Sequence, residues 1–174
     1  MKYIALLRGV NVGKRRRVEM KKLKTLFESL GYENVSTYLN SGNVIFNSSK
    51  IKEEISEEIV SCLNKNFGFE IHTLVKTEKQ IKEIANAIPK EWQNNSTQRT
   101  DVAYLFETID SSKTLEEFPV KKEHISIRYT QGAIYWNVDR KNYIKSQLNK
   151  LISHPAYQRM TVRNVNTARF LAGQ

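Results

Sequence analysis

The sequence predicts an α+β protein made of two successive β-α-β-β-α-β blocks closed by a C-terminal helix. Three observations carry this: short β-prone runs alternate with longer stretches of helical apolar spacing, two hairpin signals recur in the same place in each half, and one polar stretch separates the halves. The chain has 174 residues, 40% apolar and 26% charged, with only 7 Gly and 3 Pro. Such a composition is ordinary for a globular protein and leaves little for long linkers. A chain this long buries about 70% of its unfolded surface and needs no covalent staples.

Tyr3 to Leu7 reads as a buried strand, and Met20, Leu23, Leu26, Phe27 and Leu30 follow at helical spacing until Gly31 stops the helix. Asn34 to Leu39 and Asn43 to Asn47 are β-prone runs joined by Asn40-Ser41-Gly42, the turn chemistry of a hairpin. Ile51, Ile55, Ile59, Leu63 and Phe67 recur every four residues, which predicts a long helix ended by Gly68, and a strand follows at Ile71 to Val75. Glu78 to Ile88 is a further helix stopped by Pro89, and the polar run Gln93 to Thr100 is the expected boundary.

The pattern then restarts. Asp101 to Glu107 is a strand, Ser111 to Phe118 a short helix, and Ile125 to Tyr129 with Ala133 to Val138 a hairpin turning at Gln131-Gly132. Ile144, Leu148, Leu151 and Ile152 predict a helix over 142–152, Tyr157 to Val162 a closing strand, and Asn164 to Ala172 a terminal helix. The expected division is a first module over 1–76, a helix and polar connection over 77–100, and a second module with its terminal helix over 101–174. The order of elements is that of the split βαβ, or ferredoxin-like, unit, whose sheet is antiparallel. In that topology the turn between strands two and three lies at the end where strand one exits.

Lys and Arg total 28 against 18 Asp and Glu, a formal charge of +10. Long-range attraction therefore favours anionic partners without naming one. The first apolar run is cut by Arg8 before it could form a signal-peptide core or a span, so a cytoplasmic protein without a membrane partner is expected. The single Cys62 cannot form an internal disulfide and falls on a helical pattern that suits a core thiol.

Candidate site residues cluster in three segments. Arg8-Gly9-Val10-Asn11-Val12-Gly13-Lys14 leaves strand one, followed by Arg15, Arg16 and Arg17; glycines let backbone N–H groups approach a phosphate or carboxylate, and the cations add field. It lacks the G-x-x-x-x-G-K-[ST] spacing of a nucleotide loop. Ser41, Gly42 and Asn43 should face it from the hairpin, offering donors and acceptors or serving turn geometry alone. Arg163 precedes Asn164, an N-cap candidate for the terminal helix. A small-anion site at these residues, binding or phosphoryl-transferring, is the leading expectation. Nucleic-acid binding through Lys14, Arg15, Arg16 and Arg17 is second, although the third strand has only one aromatic for base stacking. An adaptor role is third. No catalytic residue, cofactor or oligomeric state is legible, and His72, His124 and His154 lie too far apart in sequence for a local metal motif. Tyr104, Phe106, Tyr129, Tyr135 and Trp136 are expected to pack as core.

The segments Arg8-Gly9-Val10-Asn11-Val12-Gly13, Tyr38-Leu39-Asn40-Ser41-Gly42-Asn43-Val44-Ile45-Phe46 and Thr161-Val162-Arg163-Asn164 together resemble the bacterial domain-of-unknown-function family 1697 over essentially the whole chain. The resemblance implies paired ferredoxin-like modules and leaves the activity open. The chain departs from the family pattern at Lys14, where relatives usually carry glycine, and at Val165, where they carry tryptophan.

Overall fold

The computed structural model describes residues 1–13 and 16–173; Lys14, Arg15 and Gln174 lie outside the described residues. The chain divides into two compact units, Met1–Ile81 and Lys82–Gln174.

The first unit is a four-stranded antiparallel sheet ordered β2-β3-β1-β4, from β1 (Lys2–Leu7), β2 (Glu33–Tyr38), β3 (Asn43–Asn47) and β4 (Thr73–Thr77). Helices α1 (Met20–Ser29) and α2 (Lys52–Phe67) fall between β1 and β2 and between β3 and β4. The central strand β1 pairs with β3 at Leu6↔Asn43 and with β4 at Leu7↔Thr73. Tyr3, Ala5 and Leu7 alternate onto one face of β1, where Leu23 and Phe27 of α1 and Ile55, Ile59 and Leu63 of α2 complete the core. The four-residue apolar spacing of α2 thus becomes a fully buried stripe. Gly68, at φ 72°, ends α2 in the left-handed conformation and donates to Asn64 O at 3.0 Å.

Helix α3 (Glu78–Ala87) begins with reciprocal caps: Thr77 N–H donates to Gln80 Oε1 and Gln80 N–H to Thr77 Oγ1, at 3.0 and 3.2 Å. The division between units falls inside it.

The second unit repeats the topology. Strands β5 (Gln98–Leu105), β6 (Ser126–Thr130), β7 (Ala133–Asp139) and β8 (Met160–Asn164) form an antiparallel sheet ordered β6-β7-β5-β8. Helix α4 (Ser112–Glu116) lies between β5 and β6, and α5 (Val165–Ala172) ends the chain. Ala103, Leu105, Ile134, Trp136 and Val138 form the core on one face with Phe118, Leu148, Leu151 and Met160. Tyr104, Tyr135 and Trp136 are buried, whereas Phe106 and Tyr129 are half-buried.

Three expectations are corrected. The helix over 142–152 is instead a chain of turns with a 3-10 segment at Leu148–Ser153. Gln147 stands at φ 59°, a left-handed residue that ends any α-helical run, and Ser146 is buried with its hydroxyl donating to Tyr143 O at 2.7 Å. Only Leu148 and Leu151 of the predicted apolar face are buried; Ile144 and Ile152 are exposed. The closing strand starts at Met160, because the 3-10 turn Pro155–Arg159 occupies the preceding residues. The last three residues of the polar run 93–100 join β5, which begins at Gln98 with its start held by Asn137 Nδ2 donating to Gln98 Oε1 and Thr100 Oγ1. Among the described residues no helix is long and apolar enough to cross a membrane.

Candidate functional site: a basic loop fastened to a hairpin turn

The exit of β1 and the β2–β3 turn meet at one corner of the first sheet. Leu7 N–H donates to Gly42 O at 2.8 Å, while Arg8 N–H turns the other way to His72 O at 2.9 Å. Gly42 is required for the approach: at φ 75°, a Cβ there would stand 2.7 Å from Leu7 Cβ and 2.8 Å from Val10 Cγ2. Asn11 completes the junction. Its Nδ2 donates to Val18 O and to Asn40 O, each at 2.8 Å, and its Oδ1 accepts from Val18 N–H at 2.9 Å. Its backbone N–H donates to Arg16 O at 3.0 Å, which closes the loop on itself.

This bonding changes the expected role of two site residues. Asn11 spends its amide on Val18 O in the loop and on Asn40 O in the hairpin turn, so it builds the corner instead of offering that amide to a ligand. Asn43 is fully buried, with Nδ2 donating to Tyr38 O and Ser41 Oγ at 2.8 and 3.0 Å, and fixes the turn from within.

Gly9, Val12, Gly13, Arg16 and Arg17 are exposed, whereas Val10 packs into the core. Gly9, Asn11 and Gly13 have φ of 66°, 55° and 63°, while Val10 and Val12 between them do not have positive φ. Left-handed residues at alternate positions are a feature of backbone nests, in which successive N–H groups can converge on an anion. The amides of Gly9, Val10, Val12 and Gly13 make no hydrogen bond among the described residues. Arg16 folds back over the loop, its Nη1 lying 3.8 Å from where a Gly9 Cβ would be, and Arg17 is exposed beside it. Arg8 is half-buried at the base. Lys14 and Arg15, the rest of the cationic run, lie outside the described residues.

Arg163 and Asn164 belong to the second unit and do local work there. Asn164 caps α5 by accepting Thr167 N–H at 2.9 Å. Arg163 is buried on β8, donating to Thr161 Oγ1 and Val162 O at 2.8 and 2.9 Å, and burial pushes its guanidinium down to about 10. Val165 is completely buried at the start of α5, so it packs and does not present a surface for stacking.

The family model described as "Protein of unknown function (DUF1697)" matches residues 1–135. The chain belongs to that family. The match takes in the β1 loop and the hairpin, and it stops before Arg163. The solved structure titled "The structure of conserved bacterial protein SP0830 from Streptococcus pneumoniae" is similar at 25% sequence identity and a TM-score of 0.86, over 99% of this chain and 97% of that one. A search of curated proteins finds no match.

Among the described residues no group of three or more His, Cys, Asp or Glu could hold a metal ion. His154 accepts Ala156 N–H at 3.3 Å as a cap, and His72 is exposed beside Glu70. The Cys62 thiol is half-buried and burial pushes it up, the reverse of an activated nucleophile.

Proposed function

We propose that the β1 exit loop binds a small phosphoryl or carboxylate anion on the amides of Gly9, Val12 and Gly13, with Arg8, Arg16 and Arg17 supplying charge. The observation that carries the reading is the alternating backbone at Gly9, Asn11 and Gly13 with its uncommitted amides. Net charge alone would attract any anion; N–H groups converging as in a nest select one small enough to sit among them. Asn11 and Gly42 make the site rigid before a ligand arrives, which lowers the ordering cost of binding. Both units are read as split βαβ, ferredoxin-like modules, at 1–76 and 101–174 with 77–100 between them. Only the first carries the site. The reading is of capture, in a cytoplasmic setting where phosphorylated and carboxylated small molecules abound.

The test is a titration of backbone amide shifts with inorganic phosphate and, separately, acetate, against chloride at matched ionic strength. Saturable shifts confined to residues 8–17 and 40–43, weakened about ten-fold by Arg16→Gln/Arg17→Gln, support the site. Shifts that follow ionic strength alone, or centre elsewhere, sink it. Tight oligonucleotide binding that phosphate does not displace, with a steep salt slope, would turn the corner into a nucleic-acid contact.

A further inference from the structure

No Asp or Glu follows Asp139 in the sequence, whereas Arg140, Lys141, Lys145, Lys150 and Arg159 all follow and are exposed. None of the five is ion-paired among the described residues; Arg140 donates to Asn94 Oδ1 and Asn95 O, and Lys150 to Gln147 Oε1. Elsewhere an exposed lysine does find a carboxylate, as Lys24 with Glu28, and so does the half-buried Lys2 with Glu78. Within the same stretch stand Ile144 and Ile152, 70% and 63% exposed. These are the two residues whose apolar spacing imitates a helix face, yet they point to solvent while Leu148 and Leu151 anchor the segment in the core. Successive turns keep it compact: Gln147 N–H donates to Ile144 O at 3.0 Å and Lys150 N–H to Gln147 O at 2.9 Å.

We propose that the turn segment 140–152 docks the protein on an anionic lipid bilayer, with Ile144 and Ile152 entering the headgroup–acyl boundary and Arg140, Lys141, Lys145 and Lys150 lying among the headgroups. Two isolated aliphatic side chains held out on short turns suit a fluid apolar medium, and the surrounding cations suit an anionic surface. A nucleic acid would use the cations and leave the isoleucines idle, since its backbone offers nothing apolar to them. The contact is peripheral, not a span, and it departs from the expectation that no membrane takes part. It is independent of the anion site on the first unit.

The test is co-flotation of the full chain with vesicles of equal parts phosphatidylglycerol and phosphatidylcholine, and with pure phosphatidylcholine vesicles. Binding to the anionic vesicles only is expected, at about 0.05 M salt, weakening as salt screens the charges. Lys141→Gln/Lys145→Gln/Lys150→Gln should lower partitioning about a hundred-fold, at about five-fold per lysine. Ile144→Ser/Ile152→Ser should lower it about ten-fold with every charge in place. Both variants leave Ser146, Leu148 and Leu151 untouched, and an unchanged melting curve shows that they fold. The proposal is overturned if the parent protein does not float with anionic vesicles, if the isoleucine variant floats as well as the parent, or if only Arg16→Gln/Arg17→Gln abolishes flotation. Duplex DNA binding that depends on the three lysines and ignores the isoleucines, without flotation, would make the segment a nucleic-acid contact instead.

Discussion

The corner where β1 meets the β2–β3 turn has a counterpart where β5 meets the β6–β7 turn, and the two are tied by the same backbone bonds. Leu105 N–H donates to Gly132 O at 3.0 Å as Leu7 does to Gly42 O, and Phe106 N–H donates to Arg159 O at 3.0 Å as Arg8 does to His72 O. The side-chain fastenings have opposite chemistry. In the first unit Asn11 donates from its amide to two carbonyls; in the second, Asp110 Oδ1 accepts from Gly132 N–H at 2.8 Å and Tyr129 OH at 3.1 Å. The loop amides differ as well. Ile109, Asp110 and Ser111 spend theirs on Phe106 O, Glu107 O and Ile109 O in a 3-10 turn, whereas Gly9, Val10, Val12 and Gly13 give theirs to no partner among the described residues. One topology therefore yields an acidic, self-satisfied corner and a basic one with donors to spare. The fold supplies the place, and the loop sequence decides whether it is a site.

The first corner depends most heavily on Gly42. Gly42→Ala puts a methyl against Leu7 Cβ and Val10 Cγ2 and strains a φ of 75°, so a loss of about 2–4 kcal/mol in urea unfolding is expected. Gly13→Ala, at φ 63° with open space around the position, should cost only the backbone strain, about 1 kcal/mol. Equal losses would mean that the turn does not press on the loop.

Exchange of the two fastenings sharpens the contrast. Asn11→Asp removes two donated hydrogen bonds and sets a carboxylate against the carbonyls of Val18 and Asn40, for an expected loss of about 2–3 kcal/mol. Asp110→Asn keeps an acceptor oxygen for Gly132 N–H and Tyr129 OH and should cost less than about 1 kcal/mol. A larger loss at Asp110 would reverse the reading of which corner depends on its side chain. Phosphate affinity should also fall in Asn11→Asp and hold in Asp110→Asn, as followed by the amide shifts of Gly9 and Gly13.

Much of the frame was legible because it follows from periodicity. Ile55, Ile59 and Leu63 announce α2, and Tyr3 to Leu7 announces a strand buried along its length. The meeting of Arg8–Gly13 with Asn40–Asn43 followed from topology once the hairpin was recognised, since β2 returns beside β1 with β3 between them. The inner working of the corner was not legible. Asn11 reads as a polar group on offer, and nothing in its identity says that its amide closes on Val18 and Asn40. Arg16, at φ 54°, has no local mark of a left-handed residue. The helix misread over 142–152 has a related cause. Apolar spacing records which residues are apolar, not which are buried, and Ile144 and Ile152 keep the spacing while facing solvent. The Asp110 fastening gave no signal beyond an acidic residue before Ser111 and Ser112.

The smallest expected effect concerns acid, and it sets the first unit apart through a group away from its corner. Glu58 on α2 accepts Tyr32 OH at 2.9 Å and pairs with Lys50 Nζ at 2.5 Å. The Lys50 hydrogen bond, working against desolvation and helped by the Tyr32 hydrogen bond, holds the Glu58 carboxyl below its ordinary range. A carboxyl whose folded pKa lies below its unfolded value adds stability above the unfolded value, near 4.3, and loses it as pH falls through the folded one. Both partners are about a third exposed, so solvent screens the pair and the contribution is a fraction of that of a buried pair. Urea midpoints should therefore fall slightly further between about pH 5 and pH 3 in the parent protein than in Glu58→Gln, which cannot titrate. Parallel curves for the two would show that the Lys50–Glu58–Tyr32 chain contributes no pH-dependent stability and that acid acts on the molecule elsewhere.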